Sequence, residues 1–215
     1  MVTASRWATW HEAYADPESG LSRRLRHVQR RFADGLTAAP PGPITVISLC
    51  AGEGRDVIGV LSEHPRRNDV TARLVELDPT IAAKARAAAD AAGLTQVEVV
   101  TGDAAVVGSY QGIAPADVVL AVGIFGNVSE ADIRATIDGL RSLSRAGATV
   151  LWTRHRKEPD LTPTIRRWFA EAGFEELGFD HEDGHEFGVG AQRFVGTPIA
   201  LEPGRRLFEF VPGKR

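Results

Sequence analysis

Three groups of residues have the types and spacing to do chemistry. The first is the small-residue turn Cys50-Ala51-Gly52-Glu53-Gly54, between an apolar β-branched run (Ile44 to Leu49) and Arg55-Asp56-Val57-Ile58-Gly59-Val60-Leu61, apolar at helical spacing. Glycine lacks a Cβ, so the backbone can turn tightly and a ligand can approach it closely. The helix that follows offers free N–H groups and the positive end of its dipole. The second is Glu76, 24 positions after Gly52 and near the end of the apolar run Ala72 to Leu77. A carboxylate at that spacing, roughly 20 residues on, accepts the hydroxyls of a ribose. The third comprises Gly102-Asp103-Ala104, Asn127 and His155, each just beyond a further apolar run. The glycines alone also fit an ordinary β–α turn, since 22 glycines in 215 residues make chance matches common. Glu76 shifts the reading to the first unit of a nucleotide-binding α/β fold.

These groups need a scaffold that brings several strand ends to one edge. The pattern places strands near 44–49, 71–77, 96–101, 117–122 and 147–153, alternating with helices near 54–63, 79–92, 103–110, 129–144 and 162–172. Such alternation is the signature of a parallel sheet. The last helix is expected to begin with Thr162 as N-cap and Pro163 at its first position, and to stop at Gly173. Strand-like segments follow at Phe174 to Asp180 and Phe187 to Val195, and Leu207 to Val211 suits an edge strand or a segment packed on the core.

Two helices precede this core. Residues 3–15 place Trp7, Trp10 and Tyr14 on one face, and residues 21–37 carry the apolar stripe Leu21, Leu25, Val28, Phe32 and Leu36. Arg23, Arg24, Arg26, Arg30 and Arg31 are read as the solvated faces of that second helix rather than as a nucleic-acid surface. Ala39-Pro40-Pro41-Gly42-Pro43 is a stiff linker, so residues 1–39 read as an N-terminal helical cap and 40–215 as the core.

Composition bounds the partners. A net charge of −3 gives no reason to expect nucleic acid or an anionic membrane. No apolar run is long enough for a membrane span, roughly 18 residues or more, and the N-terminus lacks a signal-peptide core. A single Cys excludes an internal disulfide and suits a reducing cytoplasm. The 22 arginines against 3 lysines read as the base composition of a GC-rich bacterial genome. His181, Asp183, His185 and Glu186 have loop-like spacing without a matched ligand set, so no metal is expected.

Taken together, Ile47 to Arg55, Glu76 three residues before Pro79, Gly102-Asp103-Ala104 after Val97 to Val100, and Ala116 to Gly123 resemble the motifs of class I S-adenosylmethionine (SAM) dependent methyltransferases. The resemblance covers about residues 44–153. It departs at Ser48, where the family often has an acid, and at Cys50, where it often has its first glycine. It implies a Rossmann-like, doubly wound α/β fold. The sheet would be seven-stranded and mostly parallel, with helices on both faces. It also implies SAM along Cys50, Ala51, Gly52, Glu53, Gly54 and Arg55, with the ribose on Glu76 beside Leu77. The adenine would lie at Asp103 and Ala104, and the methyl end at Val122, Gly123 and Tyr14. The Tyr14 face would gain from cation–π attraction to a sulfonium.

Methyl transfer needs a nucleophile held in line, and a base only if the acceptor arrives protonated. The loops after the fourth and fifth strands supply the candidates, Asn127 to orient an acceptor and His155 as base. The absence of an Asn-Pro-Pro-Tyr-type motif after the fourth strand and of an appended RNA-binding domain favours a small-molecule acceptor, methylated on O or N. Two alternatives stand beside this reading: a non-catalytic SAM-binding regulator, and an NAD(P)-dependent oxidoreductase. The latter wants a third glycine where Val57 stands and a Tyr-x-x-x-Lys pair.

Overall fold

A computed structural model of the chain describes residues 16–211. The helix expected over 3–15, with Tyr14, lies outside the described residues. Helix α1 (Gly20–Ala38) starts on Ser19, whose side chain accepts from the Ser22 N–H. Val28, Phe32 and Leu36 of its apolar stripe are fully buried.

Strand β1 (Ile44–Leu49) lies inside the sheet, next to its central strand. Its neighbours in sequence are α2 (Val57–Leu61), β2 (Val70–Glu76), α3 (Pro79–Ala91), β3 (Val97–Thr101) and β4 (Ala116–Ala121). Then come α4 (Glu130–Leu143), β5 (Ser144–His155), α5 (Thr162–Glu171), β6 (Phe174–Asp180) and β7 (Phe187–Phe194). The strand order is β3-β2-β1-β4-β5-β7-β6, with β7 antiparallel to both its neighbours. This is the doubly wound, mostly parallel seven-stranded arrangement. The order reverses between β1 and β4, the switch point beside which ligands bind in open α/β sheets.

Apolar residues cover both faces, as a buried parallel sheet requires. Ile47 and Leu49 pack with Ile133, Ile137 and Leu140 of α4 and Phe169 of α5. Ile44 and Val46 pack on the opposite face with α1, α2 and the alanines Ala82, Ala85 and Ala89 of α3.

The structure corrects several local expectations. The helix expected from residue 54 begins only at Val57, because Gly54 is a left-handed turn residue (φ 69°) and Asp56 caps the helix by accepting from the Val57 N–H. The helix expected over 103–110 is a turn followed by a short 3-10 segment, Val107–Tyr110. There the backbone pairs with the C-terminal tail: Val107 N–H donates to Arg205 O, and Gly108 N–H to Pro203 O. Thr162 is not the N-cap of α5. It is the first helical residue, and Asp160 accepts from its N–H (2.8 Å) and hydroxyl (2.7 Å). Strand β5 starts at Ser144, directly where α4 ends, and runs on to His155. The α1 arginines are not simply solvated. Arg31 pairs with Asp180 and Arg23 with Glu182, which also bonds His27, so the loop after β6 is tied to α1.

Candidate functional site

The turn after β1 is shaped by its backbone. Cys50, Gly52 and Gly54 have φ of 51°, 59° and 69°, so every second residue is left-handed. A Cβ on Gly54 would stand 2.7 Å from Ile58 Cδ1 and 2.8 Å from Leu74 Cδ2, so only glycine fits. Cys50 holds a conformation that costs a side-chain-bearing residue roughly 1–2 kcal/mol. That is the physical reason glycine suits this position, and the sequence signalled it only through the family's usual residue. Burial, reinforced by the charges of Glu76 and Asp103, pushes the Cys50 thiol well above its ordinary range, so it is neutral and a poor nucleophile.

Glu76 ends β2 beside this turn. Its Oε2 accepts from Gly52 N–H (2.9 Å) and its Oε1 from Asp78 N–H (2.9 Å). Both oxygens are thus oriented by backbone donors, and each keeps a lone pair for a further donor. Leu77, next along the chain, is 66% exposed, an apolar surface at the lip of the same edge. Glu53 is held by Arg55 (2.7 Å) and Lys84 (3.1 Å). Asp56, buried under the turn, has its carboxyl pushed up to about 6 by burial, against the hydrogen bond from Val57 N–H.

The turn after β3 presents Asp103. Its Oδ1 accepts from Ala105 N–H (2.9 Å), and its Oδ2 from Arg206 Nη1 (2.9 Å). Arg206 belongs to a C-terminal segment that forms a bridge to Val106, then a second from Phe210 to Val128, with Val211 N–H donating to Asn127 O (2.9 Å). This tail therefore links the turn after β3 to the loop after β4. Of the two expectations for this tail, packing on the core holds, since Leu207 and Phe208 are buried in it, while no local pattern marked Arg206. Tyr110 donates to Ala104 O (2.8 Å) from beneath the same turn.

The loop after β4 begins at Val122 and Gly123. Gly123 (φ 78°) donates its N–H to Thr153 Oγ1 (2.9 Å), tying the ends of β4 and β5 together. Asn127 Nδ2 donates to Gly123 O (2.8 Å), so this side chain fastens the loop, while the α4 N-cap is Ser129. His155 ends β5, with its Cδ2 3.3 Å from the place a Cβ on Gly126 would take. It is half-buried, and its Nδ1 is enclosed without a partner. Burial first, then the charges of Arg154 and Lys157, lower its affinity for a proton. Cys50 to Gly54, Glu76 and Asp103 thus share the β1–β2–β3 end of the edge, and Gly123, Asn127 and His155 share the β4–β5 end.

No protein-family model matches the chain, and no curated protein does. Solved structures do share its fold. An O-methyltransferase family protein from Burkholderia thailandensis superposes with a TM-score of 0.60 at 21% identity over 81% of this chain. The chain spans only 57% of that protein's length. Magnesium protoporphyrin IX methyltransferase from Synechocystis, solved with bound SAM, gives 0.64 at 16% identity, covering 88% of this chain and 91% of that one. The 1,6-didemethyltoxoflavin N1-methyltransferase from B. thailandensis gives 0.60 at 16%, covering 91% and 92%. The chain has the Rossmann-like fold of SAM-dependent methyltransferases. No helix among the described residues is long and apolar enough to cross a membrane.

Proposed function

We propose that the protein is a SAM-dependent methyltransferase acting on O or N of a small-molecule acceptor in the cytoplasm. The observation that carries this reading is Glu76, fixed at the end of β2, one strand from the switch point, by Gly52 and Asp78 N–H groups with lone pairs left for a ribose. The cofactor fits the residues around it. The left-handed turn at Gly52 and Gly54 leaves backbone free of Cβ atoms, exposed Leu77 offers an apolar face to a base, and Asp103 can accept from an adenine amino group. Fold neighbours solved with SAM or S-adenosylhomocysteine support the same choice. SAM would supply a methyl group on a cationic sulfur, an electrophile that needs no further activation.

The chain's own contribution is then orientation. Holding an acceptor in line and close is worth about 7–11 kcal/mol in favourable cases. Asn127 shapes the loop that flanks the acceptor, and Val122 and Gly123 form the wall at the methyl end. His155, kept neutral by burial and by its cationic neighbours, takes the acceptor proton where there is one. Tyr14, outside the described residues, is the proposed contact at the methyl end.

Calorimetric titration with S-adenosylhomocysteine, NAD and NADP tests this. Binding of S-adenosylhomocysteine alone is expected, and Glu76→Ala should weaken it about 10–100-fold, the worth of charge-assisted hydrogen bonds of roughly 1.5–3 kcal/mol. Binding of NAD or NADP alone would sink the proposal. Binding of S-adenosylhomocysteine without transfer to any acceptor in a radiolabel screen would favour a regulator that retains the pocket.

A further inference from the structure

Four consecutive basic residues, Arg154-His155-Arg156-Lys157, span the end of strand β5 and the loop that follows. Two are matched by carboxylates: Arg156 with Asp160 (3.4 Å) and Lys157 with Glu186 (3.1 Å). Arg154 is not, although it is the most buried of the four, at 8% exposure. Its Nη1 donates to Phe125 O, its Nε is enclosed without an acceptor, and no carboxylate among the described residues lies within ion-pair distance. Glu130 and Asp160 act on it only through the field, and Asp160 is already committed to Thr162 and Arg156.

A guanidinium cannot escape this situation by losing its proton. Buried charges are ordinarily paired, because an unpaired one forfeits several kcal/mol of solvation. Arg66 shows how the same chain satisfies an arginine: it donates to the carbonyls of Leu36, Ala39, Pro40 and Gly42 and pairs with Asp69. Beside Arg154, the neighbouring His155 also has an enclosed nitrogen without a partner. Both side chains touch the Phe125–Gly126 stretch of the loop after β4. Arg154 therefore leaves a guanidinium N–H unmatched at the acceptor end of the binding edge, and a guanidinium is a donor to an anion.

We infer that Arg154 is the docking point for a carboxylate on the methyl acceptor, which makes the acceptor an anionic small molecule. This rests on the methyltransferase reading of the same edge. The carboxylate serves as a handle: Arg154 fixes one end of the acceptor through its fork of N–H groups, and the nucleophilic atom lies elsewhere on the molecule.

The test uses the full chain saturated with S-adenosylhomocysteine and titrated, by ligand-observed NMR, with acetate, benzoate and 4-hydroxybenzoate. Each is compared with its own primary amide, and inorganic phosphate serves as a second anion. At least one carboxylate is expected to bind tenfold or more tightly than its amide, and Arg154→Gln should remove that preference while leaving S-adenosylhomocysteine binding within about twofold. Arg154→Lys, which keeps the charge and loses the planar fork, serves if the Gln variant does not fold, with the preference falling at least threefold. No carboxylate preferred over its amide, a preference that survives these substitutions, or Arg154-dependent binding of phosphate alone would each overturn the assignment. Failure of S-adenosylhomocysteine to bind the unaltered protein would instead remove the methyltransferase reading beneath it.

Discussion

The two ends of the binding edge solve different problems. At the turn after β1 and the end of β2 the backbone and carboxylate groups are matched within the protein, although Ser48 Oγ beneath them is not: both oxygens of Glu76 face N–H donors, and Ala51 and Gly54 N–H groups find carbonyls. At the end of β5 they are not: Arg154 Nε and His155 Nδ1 are enclosed and unmatched. A region complete without its ligand is shaped by backbone and tolerates little change. A region with unmatched donors is completed by what binds there. On the proposed function, the difference separates a preformed cofactor cradle from an acceptor site that the acceptor itself finishes, and each half of the contrast can be broken separately.

The largest effect is expected at Gly54. Alanine there meets Ile58 and Leu74 below 3 Å and must also hold a φ of 69°. Left-handed strain and overpacking together predict a loss of roughly 2–5 kcal/mol in urea unfolding, with loss of S-adenosylhomocysteine binding. A loss under about 1 kcal/mol would mean that the cradle is not fixed by its backbone. At the other end, His155→Ala should leave cofactor affinity intact and lower turnover about a hundredfold, the usual worth of a general base. Because burial and the charges of Arg154 and Lys157 favour the neutral ring, the acid limb of the pH–rate profile should lie below the ordinary imidazole value near 6.5. Turnover within about threefold of the parent would remove the base role.

Asp56 probes the cost of building the cradle. Its folded carboxyl titrates at about 6, above the ordinary 3.8, so the native state holds the proton longer than the unfolded chain does. Its contribution to stability is therefore fully present below about pH 4 and is lost as pH rises through about 6. Asp56→Asn keeps an acceptor for the Val57 N–H and removes the buried charge. The variant should be about 1–3 kcal/mol more stable than the parent at pH 8, with the gain vanishing near pH 4, as read from urea midpoints at the two pH values. An unchanged pH dependence would show that the carboxylate is not strained by its burial.

The turn after β1 was legible in the sequence because its causes are local or regularly spaced. A turn left-handed at positions 52 and 54 favours glycine there, and the carboxylate that accepts from Gly52 N–H falls at the end of the next strand. What escaped was set by distant partners. The segment after Asp103 has helical composition, yet the tail takes its N–H groups, and nothing near residue 107 announces Pro203 and Arg205. The left-handed Cys50 was visible only as a departure from the usual glycine. In the basic stretch Arg154 to Lys157, which member lacks a carboxylate depends on how Asp160 and Glu186 are brought to Arg156 and Lys157, and that is set by the tertiary fold.

The smallest effect sharpens the comparison most finely. Arg206 reaches Asp103 across 103 residues, so the tail contributes to the cofactor end as well as to the loop after β4. Both side chains are partly exposed, 47% and 39%, and pairs of that kind are worth roughly 0.2–1 kcal/mol. Asp103 Oδ1 stays held by Ala105 N–H whatever happens at Oδ2. Arg206→Gln should therefore weaken S-adenosylhomocysteine by no more than about fivefold, and less at high salt, because screening removes most of what an exposed pair provides. A loss of a hundredfold, insensitive to salt, would show that Asp103 is not preformed and depends on the tail for its orientation. The cradle would then be completed by a distant segment, and the contrast between a finished cofactor end and an unfinished acceptor end would have to be redrawn along the path of the tail.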